Sequence, residues 1–229
     1  MDQIDCRIPE VVRTPDMTTQ EYAYLRLRRA IMVGAFPPGH KLTIRGLAHD
    51  LDLSQTPIRE AVRRLSSESA IEVLGNRRLR IPVMTSGRFE ELVRLRTALE
   101  LHAALRSLPY VSDIVIDQMA EIDRMLDIAV EENDPVEMTR LNHAFHRALY
   151  CLNPDQAVMP LIESLWLQLG PFQRQVVLNH QDYYRIDRHQ EILTALKTRD
   201  ADALSTGLVA DIQEGLVLAG KKALQEAMT

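Results

Sequence analysis

Apolar residues recur every three to four positions along most of the chain, and the breaks in that rhythm mark its elements. Thr18-x-x-Glu21 has the spacing of a capping box, and Ala23, Leu27, Ala30 and Ile31 then share one face, so a helix is predicted until Gly34 and Pro37-Pro38 end it. Thr43 caps a short second helix whose inner side is Leu47, Ala48 and Leu51. Ser54 opens a third, with Pro57 in the first turn, where a missing N–H costs nothing, and Ile58, Ala61, Val62 and Leu65 as its apolar stripe. The period then changes to two. Ile71 to Leu74 and Leu79 to Val83 alternate like strands, and Gly75-Asn76 supplies the turn between them. Three helices followed by a β-hairpin, within about 65 residues, is the layout of a winged helix-turn-helix.

After Thr85 the helical period returns and persists. Helices are predicted at 86–107, 112–131, 135–151, 156–177, 185–198 and 200–224, separated by Pro109, Pro135, Asn153-Pro154 and Arg199-Asp200. The fold class expected is therefore mainly α: an N-terminal winged helix-turn-helix with a small hairpin wing, then an antiparallel bundle of six to seven helices. The domains expected are a loose tail over 1–16, the DNA-binding domain over 17–84 and an all-helical domain over 85–224.

Charge sharpens this division. The 229 residues carry a net charge of −5, which by itself argues against nucleic acid. Yet Gln20 to Arg88 holds 12 basic and 6 acidic residues, whereas the remainder holds 15 basic and 26 acidic. A basic first third joined to an acidic remainder fits two domains with different partners. The longest stretch without Asp, Glu, Lys or Arg is the eleven residues Ala30 to His40, and a membrane-spanning helix needs about 20. Two distant cysteines, Cys6 and Cys151, and an acidic N-terminus without an apolar core lead us to expect a reducing, cytoplasmic setting.

At 100° per residue along the third helix, Thr56, Arg59 and Arg63 fall together opposite the apolar stripe, with Gln55 beside them at the helix start. A recognition helix needs this arrangement, because its N-terminal side chains reach base edges while its inner side anchors it. Arg pairs with a guanine edge through two donors, and Gln pairs similarly with adenine. Arg45 opens the second helix within reach of a phosphate or base, and Asn76-Arg77-Arg78 at the hairpin tip is placed for backbone or minor-groove contacts. Periodicity alone is equally compatible with an ordinary basic amphipathic helix.

The stretch LRRAIMVGAFPPGHKLTIRGLAHDLDLSQTPIREAVRRL resembles the DNA-binding domain of the GntR superfamily. That family's pattern runs A-I-x-x-G-x-x-x-P-G-x-x-L and then L-A-x-x-L-x-V-S-R-T-P-V-R-E-A-L-x-x-L. The resemblance places Arg45, Thr56 and Arg59 at DNA-contacting positions. Gln55 stands where the family usually has Arg, and Arg78 where the wing usually turns on Gly. RLRTALELHAAL, LNHAFHRALYCLNPDQ and DRHQEILTALKTRDADAL are similar to the FCD ligand-binding domain of the FadR-type branch. The resemblance implies a bacterial transcription regulator, by family default a repressor. It would be a homodimer on a pseudo-palindromic operator and respond to a small carboxylate or sugar-acid effector. It also implies a divalent metal held by an Asp or Asn, a His four residues later and two further His.

Helical wheels direct a matching constellation inward. Asn142 lies within the stripe Met138, Leu141, Phe145 and Leu149, with His146 at its edge. His189 sits among Ile192, Leu193 and Leu196, and Asp211 among Leu204, Leu208, Gly215 and Leu218. Asn142, His146 and His189 match the first three ligand positions, and Asp211 stands where the fourth, a His, is expected. Two imidazoles and a carboxylate suit Zn²⁺, Ni²⁺, Mn²⁺ or Fe²⁺, with the amide oxygen a weak fourth ligand. The alternative is a metal-free hydrogen-bonded network. His102 and His143 lie off these stripes and read as surface or packing residues. Arg96 and Glu100 fall inside the apolar stripe of the first bundle helix. They read either as a self-satisfied i,i+4 pair or as effector-binding groups, Arg96 offering its fork to a carboxylate and Glu100 holding it. A metal-dependent enzyme is a weak rival, since no H-E-x-x-H, nucleophile elbow or Gly-rich phosphate loop is present. A protein that binds DNA constitutively and uses its helices only to dimerise is the third class.

Overall fold

The structure is a computed structural model that describes residues 8–75, 78–179 and 188–226. The chain divides into two compact units, Met1–Met84 with Trp166–Gln175, and Thr85–Leu165 with Val176–Thr229.

In the first unit α1 (Thr19–Met32), α2 (Ile44–Asp50) and α3 (Gln55–Ser67) form where the caps predict them. The Thr18–Glu21 capping box closes in both directions, and the Thr43 side chain accepts from the Gly46 N–H. Ser54 is the N-cap of α3 by backbone alone, without a side-chain hydrogen bond. Three strands follow an antiparallel order β1-β3-β2, with β1 at Lys41–Leu42, β2 at Glu72–Leu74 and β3 at Arg78–Arg80. The hairpin was expected; β1 was not. Leu42 pairs with Leu79, so the wing is anchored to the core through a strand too short to carry a periodicity. Leu27, Ile31, Ile58, Leu65, Ile71 and Ile81 build this core, and Leu167 joins it. The helix expected over 156–177 thus gives its middle to the first unit.

The loose tail expected over 1–16 is in part tied down. Arg26, almost fully buried on α1, donates to Glu10 Oε2 at 2.8 Å and to the Ile8 carbonyl at 3.1 Å.

The second unit comprises α4 (Ser86–Ser107), α5 (Asp113–Glu131), α6 (Pro135–Tyr150), α8 (His189–Thr198), α9 (Ala201–Asp211) and α10 (Leu218–Glu226), and takes both ends of α7 (Met159–Asn179). Thr85 caps α4, Asp134 caps α6 ahead of Pro135, and Asp200 caps α9. Arg199, in the left-handed conformation at φ 57°, ends α8 and permits the sharp return into α9. α5 packs on α6 and α8, α4 on α6 and α9, and α8 on α9. The single helix expected over 200–224 is interrupted: Ile212–Val217 forms a π-helical segment directly after Asp211. Such segments are rare and frequent at functional sites, because an inserted residue re-aims the side chains around it. The start expected for α8, 185–187, lies outside the described residues.

Candidate DNA-reading face and candidate metal centre

α3 buries Pro57, Ile58, Ala61, Val62 and Leu65, which turns Gln55, Thr56, Arg59 and Arg63 outward. All four are exposed, as is Arg45 on α2. Arg59 donates to Gln55 Oε1 at 3.1 Å, so the two candidate base readers hold each other one turn apart. Arg63 is tied to Glu60 at 2.8 Å. On the wing Arg78 is exposed, Arg80 pairs with Glu72 at 2.6 Å, and Asn76 and Arg77 lie outside the described residues.

In the second unit α6, α8 and α9 bring His146, His189 and Asp211 together. One ligand atom from each lies within 4.8 Å of the others, and all three residues are buried. Two ligands about 2.1 Å from one ion stand no more than about 4.2 Å apart, so this spacing needs only slight closure to hold one. His146 Nε2 is 3.2 Å from Asp211 Oδ2 but off the direction a hydrogen bond requires. Asn142, one turn before His146 on α6, has its Oδ1 buried with no hydrogen-bond partner among the described residues. Orphaned buried acceptors are costly. His146 Nε2 is likewise buried without a hydrogen-bond partner among the described residues, beside the Asp211 carboxylate.

Each imidazole is held from behind. His189 Nδ1 is 2.6 Å from Asp123 Oδ1, whose other oxygen accepts from Gln190 Nε2 at 2.6 Å. The Phe145 ring stacks on the His189 ring at 3.8 Å. His146 Nδ1 is 3.2 Å from the Tyr150 hydroxyl, which donates to Glu100 Oε2 at 2.8 Å, and Arg96 Nε donates to Glu100 Oε1 at 2.6 Å. Arg96, Glu100, Tyr150 and His146 thus form one buried chain. Burial, together with the charge and hydrogen bond of Glu100, pushes the Tyr150 phenol well above its ordinary range, against the opposing Arg96 charge. Burial also opposes ionisation of Asp211, but its contact with His146, the charges of His146 and His189 and the Arg188 backbone N–H outweigh it, and its carboxyl titrates below the usual carboxylate range.

The sequence-derived residues Asn142, His146, His189 and Asp211 therefore occupy one region of the second unit, and Arg96 and Glu100 join it through Tyr150. Tyr150 and Asp123 were missed. Tyr150 is one turn beyond His146 on the same helix, a signal that was available. Asp123 comes from α5, 66 residues from its partner, where no spacing points to it. His102 is exposed and His143 buried.

The model of the FCD domain matches residues 91–214, and that of the bacterial regulatory proteins of the gntR family matches residues 19–81. The HTH-type transcriptional regulator McbR of Escherichia coli (strain K12) is 26% identical over 195 residues, covering 84% of this chain and 88% of its own. The gluconate operon transcriptional repressor of Bacillus subtilis (strain 168) is 24% identical over 212 residues, covering 87% and 84%. The solved structure of E. coli McbR/YncC superposes with a TM-score of 0.82 at 23% identity, over 90% of this chain and 99% of that one, and supports the fold. These relatives are regulators and not enzymes. Among the described residues no helix is long and apolar enough to cross a membrane.

Proposed function

The chain belongs to the GntR family of bacterial regulatory proteins and carries an FCD domain, and from that premise we propose that it is a cytoplasmic, metal-assisted, carboxylate-responsive repressor acting as a homodimer. α3 enters the major groove. Arg59 and Gln55 read base edges, and Thr56, Arg45, Arg63 and the wing residues Arg77 and Arg78 fix the register on the backbone. Two-fold symmetry of the dimer demands a pseudo-palindromic site.

His146, His189 and Asp211 hold one divalent ion, of zinc, nickel, manganese or iron, with the Asn142 amide oxygen as a weaker ligand. The observation that carries this reading is that two buried atoms without a hydrogen-bond partner among the described residues, Asn142 Oδ1 and His146 Nε2, lie one turn apart on α6, with the Asp211 carboxylate 3.2 Å from the imidazole. A bound ion supplies positive charge and open coordination positions for an anion. Arg96, on α4, presents its guanidinium to the effector carboxylate while Glu100 fixes its orientation. α4 begins one residue after Thr85, where the chain leaves the DNA-binding domain, so movement of α4 has little slack to absorb it. A relative named as repressor of a gluconate operon supports a sugar acid or related hydroxy acid as the effector class.

Selection from random DNA followed by an affinity titration tests this reading. The selected site should be an inverted repeat, and Arg59→Ala should weaken it by about 1–3 kcal/mol without affecting random DNA as much. A small carboxylic acid should lower the wild-type affinity in the presence of the ion. A direct repeat, or an Arg59→Ala variant that binds as wild type does, would refute the assignment.

A further inference from the structure

The ion has ligands, but a histidine is a ligand only through a nitrogen that carries no proton. Which nitrogen that is depends on what the other one touches. For both histidines of the cluster the structure supplies an answer.

Consider His146 first. The Tyr150 hydroxyl has one hydrogen and faces Glu100 Oε2 at 2.8 Å and His146 Nδ1 at 3.2 Å, both buried. Glu100 is fully buried, and its other oxygen takes Arg96 Nε at 2.6 Å, so it is held as a carboxylate. A carboxylate only accepts, and it accepts more strongly than an imidazole. The hydroxyl hydrogen therefore lies on the Glu100 side. The phenol oxygen is left to accept, and His146 must bring the proton on Nδ1. Were the hydroxyl turned the other way, two lone pairs would face each other at 2.8 Å in a buried site.

The case of His189 is simpler. Asp123 Oδ1 stands 2.6 Å from Nδ1, and Oδ2 already accepts from Gln190. The carboxylate has no proton to give, so Nδ1 donates. Two unrelated devices, a phenol–carboxylate relay on α6 and α4 and a single carboxylate on α5, arrive at the same result.

We infer that Tyr150 and Asp123 are the positioning residues of this centre, each holding the Nδ1–H of one histidine so that both Nε2 lone pairs are presented to the cluster. The inference rests on the metal reading for its purpose, but the tautomers it assigns belong to the protein without the ion. Neither residue donates to the ion itself. Losing such an outer partner typically costs about 10–100-fold in metal affinity.

The test is imidazole nitrogen NMR of the full-length, chelator-treated protein at about pH 8, where unperturbed histidines are neutral, alongside Mn²⁺ and Zn²⁺ titrations of wild type, Tyr150→Phe and Asp123→Asn. His146→Gln and His189→Gln assign the two signals. In wild type both rings should be protonated on Nδ1. Asp123→Asn, whose amide can donate to Nδ1, should move His189 toward the Nε2–H form. Tyr150→Phe keeps the ring in place but removes the acceptor, and should do the same to His146. Each variant should lose about 10–100-fold in affinity for both ions. Nε2–H tautomers in wild type would overturn the inference even if neither variant folds, and so would unchanged tautomers in both variants. Nδ1–H rings in wild type, shifting in the variants, uphold it; if that protein then binds neither ion, the metal reading alone has failed.

Discussion

Arg96→Ala should lower the unfolding free energy by about 3–5 kcal/mol, because it leaves the Glu100 carboxylate charged and buried without its counter-ion. Both side chains are almost completely enclosed, at 3% and 0% exposure, and the Arg96 Nε–Glu100 Oε1 contact is 2.6 Å. Exposed pairs of the same i,i+4 spacing, such as Glu90–Arg94, should cost well under about 1 kcal/mol when broken. Urea unfolding of Arg96→Ala and Arg94→Ala measures the contrast. The double variant Arg96→Met/Glu100→Gln should recover much of the loss, since no net charge is then buried and the Gln carbonyl still accepts from Tyr150. An Arg96→Ala protein as stable as wild type would mean that the pair is not buried in solution. The consequence for function is practical: Arg96→Ala confounds sensing with folding. Arg96→Lys keeps the charge and gives up only the planar fork, so it is the variant that isolates effector recognition.

Asp211→Ala should reduce the affinity for a divalent ion at least as much as the 10–100-fold typical of losing an outer partner, about a hundredfold or more. It removes the only carboxylate that the described residues bring to the cluster, and with it a formal negative charge. Asn142→Ala should cost much less, since a neutral amide oxygen is a weak donor. Competition against a fluorescent chelator would rank the two. Equal losses, or a larger loss for Asn142→Ala, would move the charge-bearing ligand away from Asp211.

The order of elements was legible wherever the chain announces its own ends. Thr18, Thr43, Thr85, Asp134 and Asp200 all accept from backbone N–H groups of the helix that follows. β1 was not legible, because two residues carry no alternation and its pairing partner lies far along the chain. The π-helical segment after Asp211 was equally hidden: it depends on how one helix meets its neighbours, and the apolar spacing of Leu204, Leu208, Gly215 and Leu218 reads through it as continuous helix. For the site, the wheels brought out side chains that point inward but not the groups behind them. Asp123 was invisible for that reason. The Arg96–Glu100 pair was seen, and Tyr150, which gives it a route to His146, was not. Nothing in a phenol on an apolar stripe distinguishes a relay from packing.

The measurement that tests the account most directly is ion binding by the purified, chelator-treated protein as a function of pH. One divalent ion per chain is expected at pH 8, bound more weakly as the pH is lowered because protons compete with the ion for the two imidazole nitrogens, and no stoichiometric binding is expected of His146→Ala/His189→Ala at any pH. A wild-type protein that binds no zinc, nickel, manganese or iron ion at pH 8, or a double variant that binds one as tightly as wild type, would contradict it.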